Sequence, residues 1–448
     1  MGRKEEAFFR GAAGLRLPVQ RTKDVSRDSF RPQENAILQP RGVAGKTDDP
    51  AKLHFPRAQG CTFCGHCLQG CMQPLGSPRN LRAKRSTDNS YMPMALTADR
   101  WTKKGKAATL VADACVTRIL TQTGRGGPVA RGVTWRVGAT GESQTEEARV
   151  VVLAGGAIES PRLWLNSGLP DPNGWVGRGL TDHCFDLVVG LMPADIGASK
   201  GPGSAARADF PGRGAIENIG VTPAAAALSS AFSDSGMAGL YTNGAPVGLQ
   251  GADSVGRAVG RNLKGLLGDV DRLLGMIVLT DDDVEASNRV TLSSAFPPDE
   301  HGRVPRVEVH HRHRSARTRA NRELLVGKAV ELARAAGALA VFRVDWPPVL
   351  AHIHSSMRMG HDPADSVLDK HAESWAVSRL FVADNSSLAN SLGGANPTLT
   401  TQALATQTAE RIFSRYFDGD AWVGEEHPVS SIDPEVTHAV IRSTVVAG

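Results

Sequence analysis

Two histidines lie two residues apart in AHIHSSMRMG, His352 and His354, with Arg358 and a glycine close behind. Imidazole is the side chain that titrates nearest neutrality, which suits it to proton transfer or metal ligation. In an extended segment positions i and i+2 share a face, so both rings are expected to line one pocket; a metal would need a third ligand from elsewhere in the chain. A second candidate lies in GGANPTLTTQALATQTAERI, where a Gly-Gly turn and an X-Pro bond bring Asn396 to the start of a helix, with Pro397 in its first turn. The free N–H groups and positive potential of such a helix end leave two uses for the amide: binding a substrate or cofactor edge, or simple capping. The third candidate is CTFCGHCLQGC, which places Cys61, Cys64, Cys67 and Cys71 in the pattern C-x2-C-x2-C-x3-C. The other two cysteines, Cys115 and Cys184, are isolated, so the cluster argues for metal or redox chemistry rather than a disulfide framework. Its spacing equals the bacterial ferredoxin run except that Met72 stands in place of the following proline. Zinc is the competing metal, although its paired C-x2-C knuckles are usually separated by a longer loop. The run His310, His311 and His313 among arginines reads as a solvated surface strand and turn.

The elements that must position these groups can be read from period and punctuation. Residues 3 to 14 suit one amphipathic helix, and residues 18 to 60 are polar and irregular, as in a connector or lid. From Ala107 the pattern is that of strands: ATLVADACVTRIL, ARGVTWRV, a turn at GATGES, then ARVVVLAGG. The last is an almost continuous apolar run ending at Gly155 and Gly156, as expected of a buried parallel strand that meets a cofactor. Residues 183 to 345 alternate strand candidates (FDLVVGLM, LGMIVLT, NRVTLSS, RVPRVEVHH) with glycine-rich loops and close on the helix ANRELLVGKAVELARAAG, which predicts an antiparallel sheet with helices. Strand, Gly-rich loop and helix return over 378 to 415, and a polar tail follows.

Composition narrows the function. The 448 residues carry 51 Lys+Arg against 46 Asp+Glu, a net charge of +5, with 13 Phe, 7 Trp and 3 Tyr, so nothing suggests a basic-aromatic nucleic-acid platform. No apolar run approaches the roughly 18 residues of a membrane-spanning helix. Glu5 and Glu6 sit among the first residues, and no apolar core of a secretory signal follows, so cytoplasm is the default expectation.

Taken together the motifs resemble those of the glucose-methanol-choline (GMC) flavin oxidoreductases. GAIESPRLWLNSGLP (156 to 170) is similar to the family's second signature, and VGRGLTDH, SNRVTL, HIHSSMRMG, LFVADNSSL and ANPTLTTQALA follow in the family's order. Pro170 stands where the signature usually ends in Gly, and Ser355 and Ser356 replace the small residues that usually follow the histidine. The resemblance implies an α/β plus α+β fold: a three-layer FAD-binding domain, here incomplete, with an antiparallel-sheet substrate domain. The implied divisions are a connector over 1–60, FAD-binding parts with the cysteine cluster over 61–182 and again over 346–416, a substrate domain over 183–345, and a peripheral tail over 417–448. Carried over residue by residue, His352 falls on the catalytic histidine and Asn396 on the second active-site position, while Gly155, Gly156, Asp384, Asn396 and Pro397 fall on positions beside the FAD. Asp384 matches the acidic residue that contacts the ribityl chain. Cys61, Cys67 and Cys71 resemble the iron–sulfur ligand set of certain members that pass electrons to an external acceptor.

One family element is missing from this sequence. No βαβ unit carries G-x-G-x-x-G, the motif whose backbone amides hold the FAD pyrophosphate; GPGSAA (201 to 206) follows no apolar strand and opens no helix. The expectation is therefore an FAD-dependent alcohol oxidoreductase whose nucleotide-binding segment is supplied upstream or by a partner. The expected partners are a small-molecule alcohol and, if the cysteines hold iron, an electron-acceptor protein. The alternatives are a non-catalytic remnant of the family or an iron–sulfur electron-transfer module.

Overall fold

The computed structural model describes residues 2–17, 32–34, 43–44, 58–59, 63–67, 87, 91–101, 105–138, 140–220, 222–233, 247–310, 314–346 and 351–419. Two layered regions meet at the loops that carry the candidate residues.

The first region follows from period-2 strands with one apolar face. Strands β5 (Asp186–Leu191), β6 (Ala206–Phe210), β7 (Gly214–Ile219), β8 (Leu273–Thr280) and β11 (Ala340–Arg343) form most of a seven-stranded sheet. Its order is Pro32–Glu34, β6, β7, β8, β5, β11, Ser254–Val255, antiparallel except for the last pair. Even-numbered residues of β5, β6, β7 and β8 (Val188, Ala206, Ala208, Ile216, Met276, Val278) turn to one face and are fully buried. Helix α4 (Ala316–Ala335) covers that face with Leu325, Val326, Ala329, Val330 and Ala333. It begins where the Ser315 hydroxyl accepts from Thr318 N, an N-cap five residues ahead of the predicted helix start.

Helix α1 (Arg3–Gly14) forms as its pattern predicts, but it is more than connector. Phe8 and Phe9 join the same core, and Gly11 lets the two helices touch, since a Cβ there would lie 2.4 Å from the Leu332 carbonyl oxygen. At its start the buried Lys4 ammonium donates to the carbonyls of Lys200 (2.5 Å) and Pro202 (2.8 Å). Residues read as the front of a connector thus pack into the core of the seven-stranded sheet.

The second region is a three-stranded meander, β1 (Ala114–Gly124), β2 (Gly127–Val137) and β3 (Gln144–Glu147), stacked on a parallel pair, β4 (Val151–Leu153) with β12 (Leu380–Val382). Ile119, Ala130, Val151, Leu153, Trp164, Leu380 and Val382 make its core. Helix α2 (Gly156–Asn166) follows β4 directly, and α5 (Thr398–Tyr416) forms in the expected segment, with Pro397 as its N-cap rather than inside its first turn. A hairpin, β9 (Arg289–Leu292) with β10 (Pro305–Glu308), packs against α2. The mixed part and the antiparallel part correspond to the fold class expected. No described helix is long and apolar enough to cross a membrane.

Candidate active site

The chain delivers His352 and His354 in a turn, not on a strand face, which corrects the expectation that both rings line one pocket. His354 pairs with Thr181 through reciprocal backbone bonds of 3.0 and 2.9 Å, Ser355 then takes a left-handed φ of 69°, and the His354 ring turns back so that Nδ1 meets the His352 carbonyl. The ring is wholly buried, and its Nε2 has no hydrogen-bond partner among the described residues. His352 is only partly buried and packs beside Phe185, ring centroids 5.4 Å apart. Its Nδ1 is buried without a partner among the described residues. Burial first, then the neighbouring His354 and Arg207, lower the His352 pKa to about 4; burial lowers that of His354 to about 4 as well. Both rings are neutral at pH 7.

Asp182 fixes the backbone that carries His352. Its Oδ1 accepts from His352 N (2.7 Å) and Ala351 N (3.2 Å). Burial raises the Asp182 pKa to about 8 against the pull of those two N–H donors, so the carboxyl is largely protonated at neutrality.

A third imidazole, which the sequence reading passed over, joins the cluster. The His183 ring lies 5.2 Å from that of His352 and 5.4 Å from that of His354. Its Nε2 meets Ala395 O at 3.0 Å and its Nδ1 meets Ser391 Oγ at 3.0 Å, so it ties the loop before Asn396 to the histidines. Burial and the two neighbouring histidines lower its pKa well below the ordinary value. With both nitrogens engaged it is a tether, and the described residues contain no cluster of three or more side chains arranged to hold a metal ion.

Asn396 is exposed, one residue before Pro397, which is buried and caps α5. The Asn396 Oδ1 accepts from Arg207 Nη1 at 2.7 Å. Arg207, also absent from the sequence reading, is 8% exposed.

The other expected groups line a neighbouring cleft of about 820 Å³ bounded by Gly155, Gly156, Asp384, Thr398, Thr401 and Gln402. Gly156 has φ 85°, and a Cβ added there would meet nothing within 4 Å, so the cleft floor is bare backbone that only glycine adopts readily. Asp384 is spent on internal bonds. Its Oδ2 accepts from Gly156 N (2.9 Å) and Ser160 Oγ (2.5 Å), its Oδ1 from Ser386 N (2.7 Å) and Ser386 Oγ (2.5 Å). It braces the start of α2 against β12 and shapes the cleft.

Cys61 and Cys71 lie outside the described residues. Cys64 is exposed and Cys67 half-buried. Their loop docks on the antiparallel region rather than the mixed one: the Phe63 carbonyl accepts from Gly201 N (3.0 Å), and a Cβ on Gly65 would lie 2.1 Å from the Ser199 carbonyl oxygen. This departs from the grouping of the cysteines with the FAD-binding part. Of the surface histidine run, His310 is exposed as expected, and His311 and His313 lie outside the described residues.

Comparison with known proteins bears on this arrangement. Two family models described as GMC oxidoreductase match residues 50–185 and 284–405. A 2-methyl-1,2-propanediol dehydrogenase from Mycolicibacterium austroafricanum is 28% identical over 328 residues, 69% of this chain and 55% of that protein. A C-glycoside 3-oxidase from Microbacterium trichothecenolyticum is 30% identical over 308 residues, 68% of this chain and 53% of that protein. The chain spans about half the length of these curated relatives. The crystal structure of pyridoxine 4-oxidase from Mesorbium loti superposes with a TM-score of 0.51 over 92% of this chain and 70% of that one, at 16% identity, a likeness of fold alone.

Proposed function

The chain belongs to the GMC oxidoreductase family, and from that premise we propose that it forms the substrate site and part of the flavin cleft of an FAD-dependent oxidoreductase acting on the CH–OH group of an alcohol or sugar-like polyol. The observation that carries this reading is a partly open imidazole, His352, beside the His183 ring that tethers the loop before Asn396, with Arg207 holding the Asn396 amide from the other side. The cleft beside it fits the flavin end of FAD, because bare backbone at Gly156 leaves room for a flat ring system and the α5 N-terminus supplies positive potential. Gly155, Gly156, Thr398 and Thr401 would hold it, with Asp384 as the brace behind them. When bound, the flavin supplies the acceptor for the carbinol hydride.

The chain's own residues handle the proton. An alcohol hydroxyl set against His352 gives its proton to Nε2, the ring nitrogen left after Nδ1 is buried. Asn396 donates from Nδ2 to the oxygen as negative charge develops on it. Asp182 keeps the His352 backbone in place, and His183 keeps the Asn396 loop within reach. Phe185 and Trp346, ring centroids 6.4 Å apart, form an apolar wall that excludes water from the reacting carbon.

The cysteine run enters this reading only through its spacing. A cluster there would pass electrons singly to an acceptor protein, and iron and sulfide analysis of anaerobically purified protein tests it. The reading itself is tested by mixing flavin-loaded protein anaerobically with diols and sugars. Bleaching of the flavin is expected; protein that binds flavin yet is bleached by no alcohol would sink the reading in favour of a non-catalytic family member.

A further inference from the structure

The face of the antiparallel sheet that turns away from α4 is not uniformly apolar. The register pairs Arg207 of β6 with Glu217 of β7, and both side chains are almost fully buried. The Arg207 guanidinium makes four directed bonds. Nη1 donates to Glu217 Oε1 (2.6 Å) and to Asn396 Oδ1 (2.7 Å), Nη2 donates to the Gly394 carbonyl (3.2 Å), and Nε donates to Asp209. One positive charge faces two carboxylates, so the trio has a net charge of −1 and does not recruit an anionic substrate. Its geometry serves a different purpose.

An arginine fork is planar and its donors have fixed directions, so it can orient a group where a lysine ammonium only attracts it. Arg207 grips the Asn396 side chain and, through Gly394, the backbone two residues before it. Gly394 itself lies close against β8, where an added Cβ would be 2.7 Å from the Leu279 carbonyl oxygen. From the other side His183 holds the Ala395 carbonyl. An amide whose oxygen accepts from a guanidinium must present its NH2 group in the opposite direction. Asn396 Nδ2 makes no hydrogen bond among the described residues, and the side chain is exposed.

We propose that Arg207 is a positioning residue: it fixes the Asn396 amide with its oxygen inward and both N–H donors turned to the open side, so that Asn396 offers only donors to the substrate oxygen. This rests on the reading of the chain as an alcohol oxidoreductase and adds to it the cause of the amide's orientation. A freely rotating amide would spend part of its time presenting its oxygen, which repels a developing alkoxide, and the gain in the transition state would shrink.

Two measurements test it. In the chain itself, labelled with 15N-asparagine, the side-chain NH2 signals of Asn396, assigned by their loss in Asn396→Ala, are expected as one resolved pair, and in Arg207→Lys as a shifted or exchange-broadened pair. In flavin-loaded protein, Arg207→Lys is expected to lower kcat about 10- to 100-fold with KM within about twofold, because the interaction strengthens only as charge develops. Should Arg207→Lys fail to fold, the double variant Arg207→Gln/Glu217→Gln removes the buried charges as a pair and is expected to behave alike. An unchanged Asn396 signal, a kcat within about twofold of wild type, or a loss carried wholly by KM would overturn the proposal. If the wild type oxidises no alcohol, the functional reading fails, while the amide signal still decides the Arg207 claim.

Discussion

The antiparallel and parallel regions hold their strands by different means. In β8, Leu274, Met276 and Val278 are fully buried, with β7 on one side, β5 on the other and α4 across the face. In β4, the strand that leads to Gly155, the central Val152 is 44% exposed, and the sheet has only two described strands. Yet the residues proposed to handle protons and those proposed to form the cofactor cleft are divided along the same line. His183, Arg207 and the network behind His352 rest on the fully packed sheet, whereas Gly155, Gly156 and Asp384 rest on the small one. On the proposed reading, the groups that move a proton have the more tightly packed support, while the cleft takes its shape from a few directed bonds such as those of Asp384.

That contrast can be broken most forcefully at the chemistry. His352→Ala is expected to slow flavin reduction by substrate about 10²- to 10⁴-fold, as loss of a general base does, with flavin binding unchanged. Stopped-flow reduction checks it; a mutant as fast as wild type, or one crippled only because flavin is lost, would place the base elsewhere. Next in size is the packing difference itself. Met276→Ala should cost about 2–5 kcal/mol in urea unfolding, whereas Val152→Ala, half open already, should cost under about 1 kcal/mol. Equal costs would mean that the two sheets are equally supported. Asn396→Ala should slow reduction about 10- to 100-fold, less than His352→Ala, since it removes a hydrogen bond rather than the base. The smallest effect is expected at Asp182: with its carboxyl largely protonated at pH 7, Asp182→Asn keeps an acceptor for His352 N and should leave reduction within about threefold of wild type. A loss as large as that of His352→Ala would give Asp182 a charge role that its burial argues against.

Much of this was readable without coordinates, and the exceptions have physical reasons. Helix α5 was legible because Pro397 and the Gly-Gly turn punctuate its start. The strands β1, β2, β5 and β8 were legible because their apolar residues run at strand period. Strands β6 and β7 were not: their inward face toward α4 is alanine and isoleucine, while the other face carries Arg207, Asp209 and Glu217, charges that a lone sequence assigns to solvent. Only the cross-strand register pairs them. His183 carries no local signal of its role, because its partners Thr280, Ser391 and Ala395 lie 97 to 212 residues away. The turn that sends His354 inward hinges on the left-handed Ser355, a residue type that gives no such signal.

On the proposed reading the antiparallel region keeps His352 neutral by burying it, and the pH dependence of flavin reduction is the decisive measurement. A base with a pKa of about 4 is active above that pH and is lost only as pH falls through it, so the rate should be the same at pH 7 and at about pH 5. A histidine with the ordinary pKa of about 6.5 would be only about 3% neutral at pH 5. A flat profile that is low throughout in His352→Ala is the predicted result; a fall of about 25-fold between those two pH values, with the protein still folded, would contradict it.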